Sequence, residues 1–212
     1  MRIVEPVITS KMMEKREKIL ESAQVLFAEK GYVNTPVREI IDLSGYGTGT
    51  FYKYFNNKEE VLKVLLQDFL DQIISAVREF FNREKDLYVR FIESKRVMLE
   101  VFARNQKMAE IYSRVHGISD SIDQCLQEFD NRFLAFTSRN IEYGIKRGLF
   151  RDLPVTPVAS ATLAIIRYAV NQWIVRKTIS EPEMIDMVIS FHHSLAVGIV
   201  KDHSLITPYE TI

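Results

Sequence analysis

Three glycines in five positions, Gly45-Tyr46-Gly47-Thr48-Gly49, followed by Tyr52, Lys53 and Tyr54, form the stretch whose residue types and spacing most invite a chemical reading. A dinucleotide loop needs Gly-x-Gly-x-x-Gly between a buried strand and a helix, so that backbone can approach a pyrophosphate. Here Thr50 stands where the last glycine should fall, and the preceding Val37-Arg38-Glu39-Ile40-Ile41-Asp42-Leu43 spaces its apolar residues for one face of a helix. No Gly-x-x-x-x-Gly-Lys-Ser/Thr occurs either. The competing reading is a helix over 36–43, a turn at Ser44-Gly45-Tyr46, and a second helix from 47, which is the spacing of a helix-turn-helix. On that second helix Phe51 and Phe55, four apart, are predicted to pack against Ile19, Ala23 and Phe27. Thr48 and Tyr52 then face outward, flanked by Thr50 and Lys53, and the small residues at 47–49 let a bare helix start come close to a phosphate.

Other chemistry is thin. There is no Gly-x-Ser-x-Gly, no His-Glu-x-x-His, and no Glu-x-x-His pair of the kind that loads iron into helical bundles. His192 and His193 are adjacent, so on one helix their side chains point about 100° apart and cannot share a metal. His116 and His203 read as surface or helix-end residues, and Cys125, within an apolar stripe, as a buried thiol. Arg167 is a lone cation between Ile166 and Tyr168 with no acid three or four positions away. It reads either as a counter-charge for an acidic effector or as an intersubunit ion pair or rim residue.

The elements that must position these groups are helices. Eight glycines and six prolines in 212 residues, with apolar residues recurring at three and four rather than two, predict an all-α chain with no strand. Thr35-Pro36, Thr156-Pro157 and Ser180-Glu181-Pro182-Glu183 read as helix starts with a capping hydroxyl, the last as a capping box, and Asn57 with Glu60 as a related start. Gly31 and Gly148 read as stops. These marks predict helices at 12–30, 36–43, 47–54, 58–82, 86–104, 106–115, 119–147, 156–178 and 181–201, with loose ends at 1–10 and 203–212. The helices lengthen after residue 57, which suggests a small module at 1–55 and a helical domain at 56–212. The helix from 58 would be a rod running from one into the other.

The 28 basic and 28 acidic residues cancel, and residues 1–60 balance as well, so any DNA contact must come from a local patch such as Arg38, Lys53 and Lys58, helped by Lys11, Lys15 and Arg16. A single cysteine excludes a disulfide framework, a polar N-terminus does not look like a signal peptide, and no apolar run is long enough for a membrane span. A soluble, cytoplasmic chain without membrane contact is the expectation.

The same residues resemble a known family, the TetR-type bacterial transcriptional regulators. Lys18-Ile19-Leu20-Glu21-Ser22-Ala23 through Phe27-Ala28-Glu29-Lys30-Gly31-Tyr32 is similar to that family's first helix, and Thr35-Pro36-Val37-Arg38-Glu39-Ile40 to its second. Gly49-Thr50-Phe51-Tyr52-Lys53-Tyr54-Phe55-Asn56-Asn57-Lys58-Glu59-Glu60-Val61-Leu62 is similar to its recognition helix and the start of its fourth. Gly47 stands where a serine cap is common and Thr48 where a lysine often reaches a base. The resemblance implies DNA contacts at Thr35, Val37, Arg38, Thr48, Thr50, Tyr52, Tyr54 and Lys58, to which the helix-face argument adds Lys53.

In the long-helix region, aromatics and methionines are dense enough to line an effector pocket or to be ordinary core. The candidate pocket residues are Phe91, Met98, Phe102, Tyr112, Phe129, Phe133, Phe136, Arg167, Asn171 and Trp173. The helix from 156 is apolar nearly all round and pairs with the one from 181, which argues for a homodimer closed by a four-helix bundle through Leu163, Ile166, Val170, Met184, Val188, Phe191, Leu195 and Ile199. The family resemblance implies the same interface. The expectation is a ligand-responsive repressor, not an enzyme and without cofactor or metal, that binds a palindromic double-stranded DNA operator as a homodimer and is released by a small-molecule effector. The alternative is a helical enzyme or small-molecule-binding protein with a vestigial DNA-binding module, which would show turnover or tight ligand binding but no salt-sensitive DNA affinity.

Overall fold

The structure is a computed structural model that describes residues 10–199 and Asp202. Residues 1–9 and 203–212 of the expected loose ends, and the last two residues of the expected final helix, lie outside the described residues, while Ser10 belongs to the first helix. The described residues form nine α-helices and no strand: α1 (Ser10–Lys30), α2 (Val37–Ser44), α3 (Thr48–Tyr54), α4 (Lys58–Arg83), α5 (Leu87–Arg104), α6 (Gln106–Arg114), α7 (Asp120–Lys146), α8 (Val155–Ile174) and α9 (Glu181–Ile199). The chain forms two compact units, the first running to Leu66 and the second starting at Gln67, so that α4 belongs to both.

In the first unit the apolar spacing closes a small core. Ile19, Ala23 and Phe27 of α1, Ile40 of α2, Phe51 of α3 and Phe55 just after it are all buried, with Val61 and Leu62 from the start of α4. Phe51 is wholly enclosed, and its ring lies 6.0 Å from that of Phe55. A helix of seven residues is far too short to stand alone in water, so α3 exists because these two rings anchor it. The α4 start is the expected one: the Glu60 N–H donates to Asn57 Oδ1 at 2.9 Å, and Glu60 itself accepts from the Asn56 N–H at 2.7 Å.

In the second unit α5, α7, α8 and α9 share a core that includes Phe91, Ile92, Ile141, Phe150, Ala159, Ile189 and Ala196. Asp86 caps α5 by accepting from the Val89 N–H at 2.9 Å, and Ser119 caps α7 by accepting from the Ile122 N–H at 3.2 Å. The capping box at α9 forms as expected, the Ser180 N–H donating to Glu183 at 2.7 Å and the Glu183 N–H to Ser180 Oγ at 3.4 Å. Gly144 lies beside the Phe150 ring so closely that a Cβ at that position would sit 2.4 Å from two ring carbons.

Three expectations are corrected. Thr35 and Thr156 are not caps: α2 and α8 start after Pro36 and Pro154 with no side-chain cap, because proline already sets the entry dihedral. The α8 helix ends at Ile174, not 178. The Arg176 N–H turns back to the Asn171 carbonyl at 3.0 Å and the Thr178 N–H to that of Gln172 at 3.0 Å, with Lys177 at φ 53, so a lysine takes the left-handed place that glycine usually fills.

Candidate nucleic-acid interface and effector cavity

The turn between α2 and α3 is built by Ser44 and Gly45. Buried Ser44 donates its hydroxyl to the Ile41 carbonyl at 2.8 Å and accepts from the Tyr46 N–H at 3.3 Å, while Gly45 takes φ 74 and donates its N–H to Asp42. With Phe51 fixed inward, its neighbours are forced outward. Thr48, Tyr52 and Lys53 are exposed, Tyr52 by 54%, and Thr50 and Tyr54 are half-buried at the edges of the same short helix. On α2, Arg38 is almost wholly in solvent, 3.9 Å from Asp42, and Val37 is half-buried. Lys15 reaches toward this region with its Nζ 5.7 Å from the Tyr46 ring centre, and Lys11 is exposed. Arg16, by contrast, lies over the Phe55 ring and against Glu17.

Two of the expected contact residues face other tasks. The Thr35 side chain is fully buried and its hydroxyl donates toward the carbonyls of Leu26 at 3.3 Å and Gly31 at 2.9 Å, so it holds the end of α1. Lys58 donates to the carbonyls of Tyr32 at 2.8 Å, Val33 at 3.2 Å and Thr35 at 2.9 Å, and its ammonium sits over the Tyr32 ring. All three ammonium protons are thereby engaged, and the group ties the α1–α2 loop to the head of α4. Burial there lowers the Lys58 pKa. The side chains that remain presented are Arg38, Thr48, Thr50, Tyr52, Lys53 and Tyr54, with Val37 partly accessible.

The second unit contains a cavity of about 70 Å³ between α4, α5, α7 and the turn that carries Phe150. Phe91, Met98, Phe133 and Phe136 line it, as the sequence suggested. Phe102, Tyr112, Phe129 and Arg167 instead surround a void of about 10 Å³ that also touches Met98 and Phe133. Trp173 borders an open cleft near Gln106 and Ile179, and Asn171 lines none of these spaces, its carbonyl ending α8. The density of rings in the middle of the unit is therefore mainly core: Phe69, Phe102, Tyr112 and Phe129 stack in a chain at 5.0–6.5 Å.

Arg167 is not a free counter-charge, because it is already paired within the chain. Its guanidinium donates to Asp130 of α7 at 2.5 Å and to the Tyr112 hydroxyl at 3.2 Å, an ion pair within the chain. Burial outweighs that cation at Asp130, whose pKa is raised. Most of the residues expected at a dimer seam also point inward. Ile166, Val170, Met184 and Val188 are all but fully buried, Leu163 and Ile199 nearly so, and Phe191 and Leu195 are half-buried. The outward stripes are Ser160, Ala161, Ala164 and Tyr168 on α8, with Ser194, Val197 and Gly198 on α9.

The burial of Lys95 and of His192 was not foreseen from the sequence. Lys95 of α5 is buried against the cavity, donates to the Phe91 carbonyl and holds its Nζ 4.2 Å from the Phe91 ring centre. Burial lowers its pKa to about 7. His192 is fully buried, bonded to the Val188 carbonyl at 2.7 Å and to the Thr162 hydroxyl at 3.2 Å. Burial first, and then the neighbouring Lys95 charge, push it down to about 3. Among the described residues no group of three or more His, Cys, Asp or Glu could hold a metal, and no helix is long and apolar enough to cross a membrane.

Comparison with known proteins bears on both units. Residues 19–65 match the family of bacterial regulatory proteins, tetR family. A crystal structure of a TetR-family transcriptional regulator from Syntrophomonas wolfei is 57% identical, covering 88% of this chain and 96% of that one with a TM-score of 0.83. The transcriptional repressor KstR2 of Rhodococcus jostii is 28% identical over 146 residues, 68% of this chain and 72% of the relative. The fatty acid degradation regulator FadR of Bacillus halodurans, at 22% identity, shares the fold with a TM-score of 0.78 over 87% of this chain and 95% of that one.

Proposed function

The chain belongs to the TetR family of DNA-binding transcriptional regulators, and from that premise we propose that it is a repressor released by a small molecule held in the α4–α5–α7 cavity. The observation that supports this reading best is α4 itself. Its first turns give Val61 and Leu62 to the core beneath the reading helix, and its later turns give Ile73 and Val77 to the cavity wall. A ligand that displaces the second group acts on the same hydrogen-bonded rod that carries the first. It need favour the non-binding arrangement by only a few kcal/mol to empty an operator, roughly 5.5 kcal/mol for a near-complete switch.

Arg38, Thr48, Thr50, Tyr52, Lys53 and Tyr54 form the DNA face in this reading, with the aromatic and hydroxyl groups reading base edges and the cations on phosphate. Thr35 and Lys58 support it from behind. Two copies related by a two-fold axis bind a palindromic operator with half-sites spaced by whole helical turns. They meet through the outward stripes of α8 and α9, where Ala164, Tyr168 and Val197 are exposed and small residues beside them permit close approach.

Fluorescence anisotropy against the DNA flanking the gene, with a shuffled control at about 150 mM salt, tests the DNA half of this reading. Preference for the flanking DNA that Tyr52→Ala and Thr48→Ala both weaken is the expected result. Equal binding of the shuffled sequence by wild type and both variants would overturn it.

A further inference from the structure

A lysine set into an apolar wall needs a reason. Lys95 is 8% exposed, no carboxylate of the described residues pairs with it, and its one hydrogen bond goes to Phe91, four positions back on its own helix. The cavity it lines has no aspartate or glutamate in its wall but a second cation, Arg90. That residue is already turned to the carbonyls of Phe81 at 2.6 Å and Glu84 at 2.5 Å, whereas the ammonium of Lys95 keeps unused donor capacity. His192, the titratable neighbour from α9, is held neutral by its own burial and offers no counter-charge. The hydroxyls of Ser94 and Thr137 line the same space. An isolated buried cation is costly and is ordinarily paired.

We propose that Lys95 is the counter-charge for the carboxylate of a slender apolar acid, whose tail lies along the aromatic wall formed by Phe91, Phe133 and Phe136. This rests on the reading of the cavity as the effector site and specifies what enters it. A volume of about 70 Å³ is several times the roughly 10–15 Å³ that one water needs, a narrow space in which a single unbranched chain is the simplest apolar guest. Burial in this wall holds Lys95 at a lowered pKa, near 7. A carboxylate beside it restores the charged form, so acid binding takes up protons above neutrality.

The test is calorimetric titration of the full chain with octanoate, octyl phosphate and 1-octanol, using wild type, Lys95→Met and Lys95→Arg. A hydrogen bond between charged partners predicts that octanoate binds wild type roughly ten- to a hundredfold more tightly than 1-octanol. Lys95→Met should abolish that preference while still binding 1-octanol, and Lys95→Arg should restore much of it. Equal affinity for octanoate and 1-octanol in wild type, an undiminished preference in Lys95→Met, or no binding of octanoate would each overturn the proposal. A preference for octyl phosphate over octanoate would overturn the carboxylate assignment in favour of a phosphate head. Anisotropy on operator DNA is measured in parallel. Octanoate that binds through Lys95 without changing operator affinity refutes the release mechanism and leaves the acid site standing.

Discussion

The two units put their chemistry on opposite sides of their cores. In the first, the buried polar side chains Ser22, Thr35 and Ser44 are small uncharged hydroxyls spent on nearby backbone carbonyls, and the groups able to recognise something, Arg38, Tyr52 and Lys53, stand in solvent. In the second, the surface ion pairs are ordinary, such as Arg132 with Asp71, and the unusual groups, Lys95 and His192, are inside. A protein reading a rigid duplex can present an outward array, whereas one capturing a small molecule must enclose it.

Neighbouring residues on α3 offer the sharpest way to break that contrast. Phe51→Ala removes a fully buried ring and should cost roughly 3–5 kcal/mol of stability, read by urea unfolding. Tyr52→Ala, one position on, should leave unfolding within about 0.5 kcal/mol and weaken operator binding by roughly 1–3 kcal/mol. If both variants behave alike, the inward and outward faces are not separate.

The second unit carries its own test in pH. The His192 pKa is pushed from its ordinary 6.5 to about 3 by burial and by Lys95. Between those two values the unfolded chain takes up a proton that the folded one refuses, so stability falls as pH drops from about 6.5 toward 3. His192→Gln should flatten that acid limb in thermal melts across the same range. A limb unchanged in slope would place the acid sensitivity elsewhere.

Gly144→Ala forces a methyl group into the Phe150 ring and should destabilise by roughly 1–3 kcal/mol. Its effect on DNA affinity per folded molecule should be nil, which a denaturation curve and a binding isotherm on one sample can separate. The smallest expected effect compares two cations of the first unit. Arg38→Ala should lower the salt slope of operator binding by about one, while Lys58→Ala should lower stability instead, because its ammonium already holds three carbonyls. An equal change in slope for both would return Lys58 to the DNA face.

What the sequence made legible follows the range of the forces involved. All nine described helices were readable because their signals are local: apolar residues at three and four, Asn57 with Glu60, Ser180 with Glu183. The outward set on α3 was readable because burial of Phe51 and Phe55 fixes the phase of a short helix. The partner of Arg167 was not readable, since Asp130 lies on another helix with no periodic signal linking the two. Lys95 sits in Glu93-Ser94-Lys95-Arg96, a run that looks solvated, and only the packing of α5 turns two of its members, Ser94 and Lys95, inward. The hydroxyl of Thr35 resembles a cap in sequence and proves to be a tie between α1 and its loop, because proline had made the cap unnecessary.

The missing side chain at Gly144 also shapes the cavity wall. The Phe150 ring fits into the space that any larger residue would fill, and both line the cavity beside Leu149 and Ile141. The ring is thus part of the cavity wall, and under the acid-site proposal trimming it would enlarge the room for a guest. A lineage responding to a bulkier effector could then gain that room by a change at one codon, with no substitution in the DNA-reading helix.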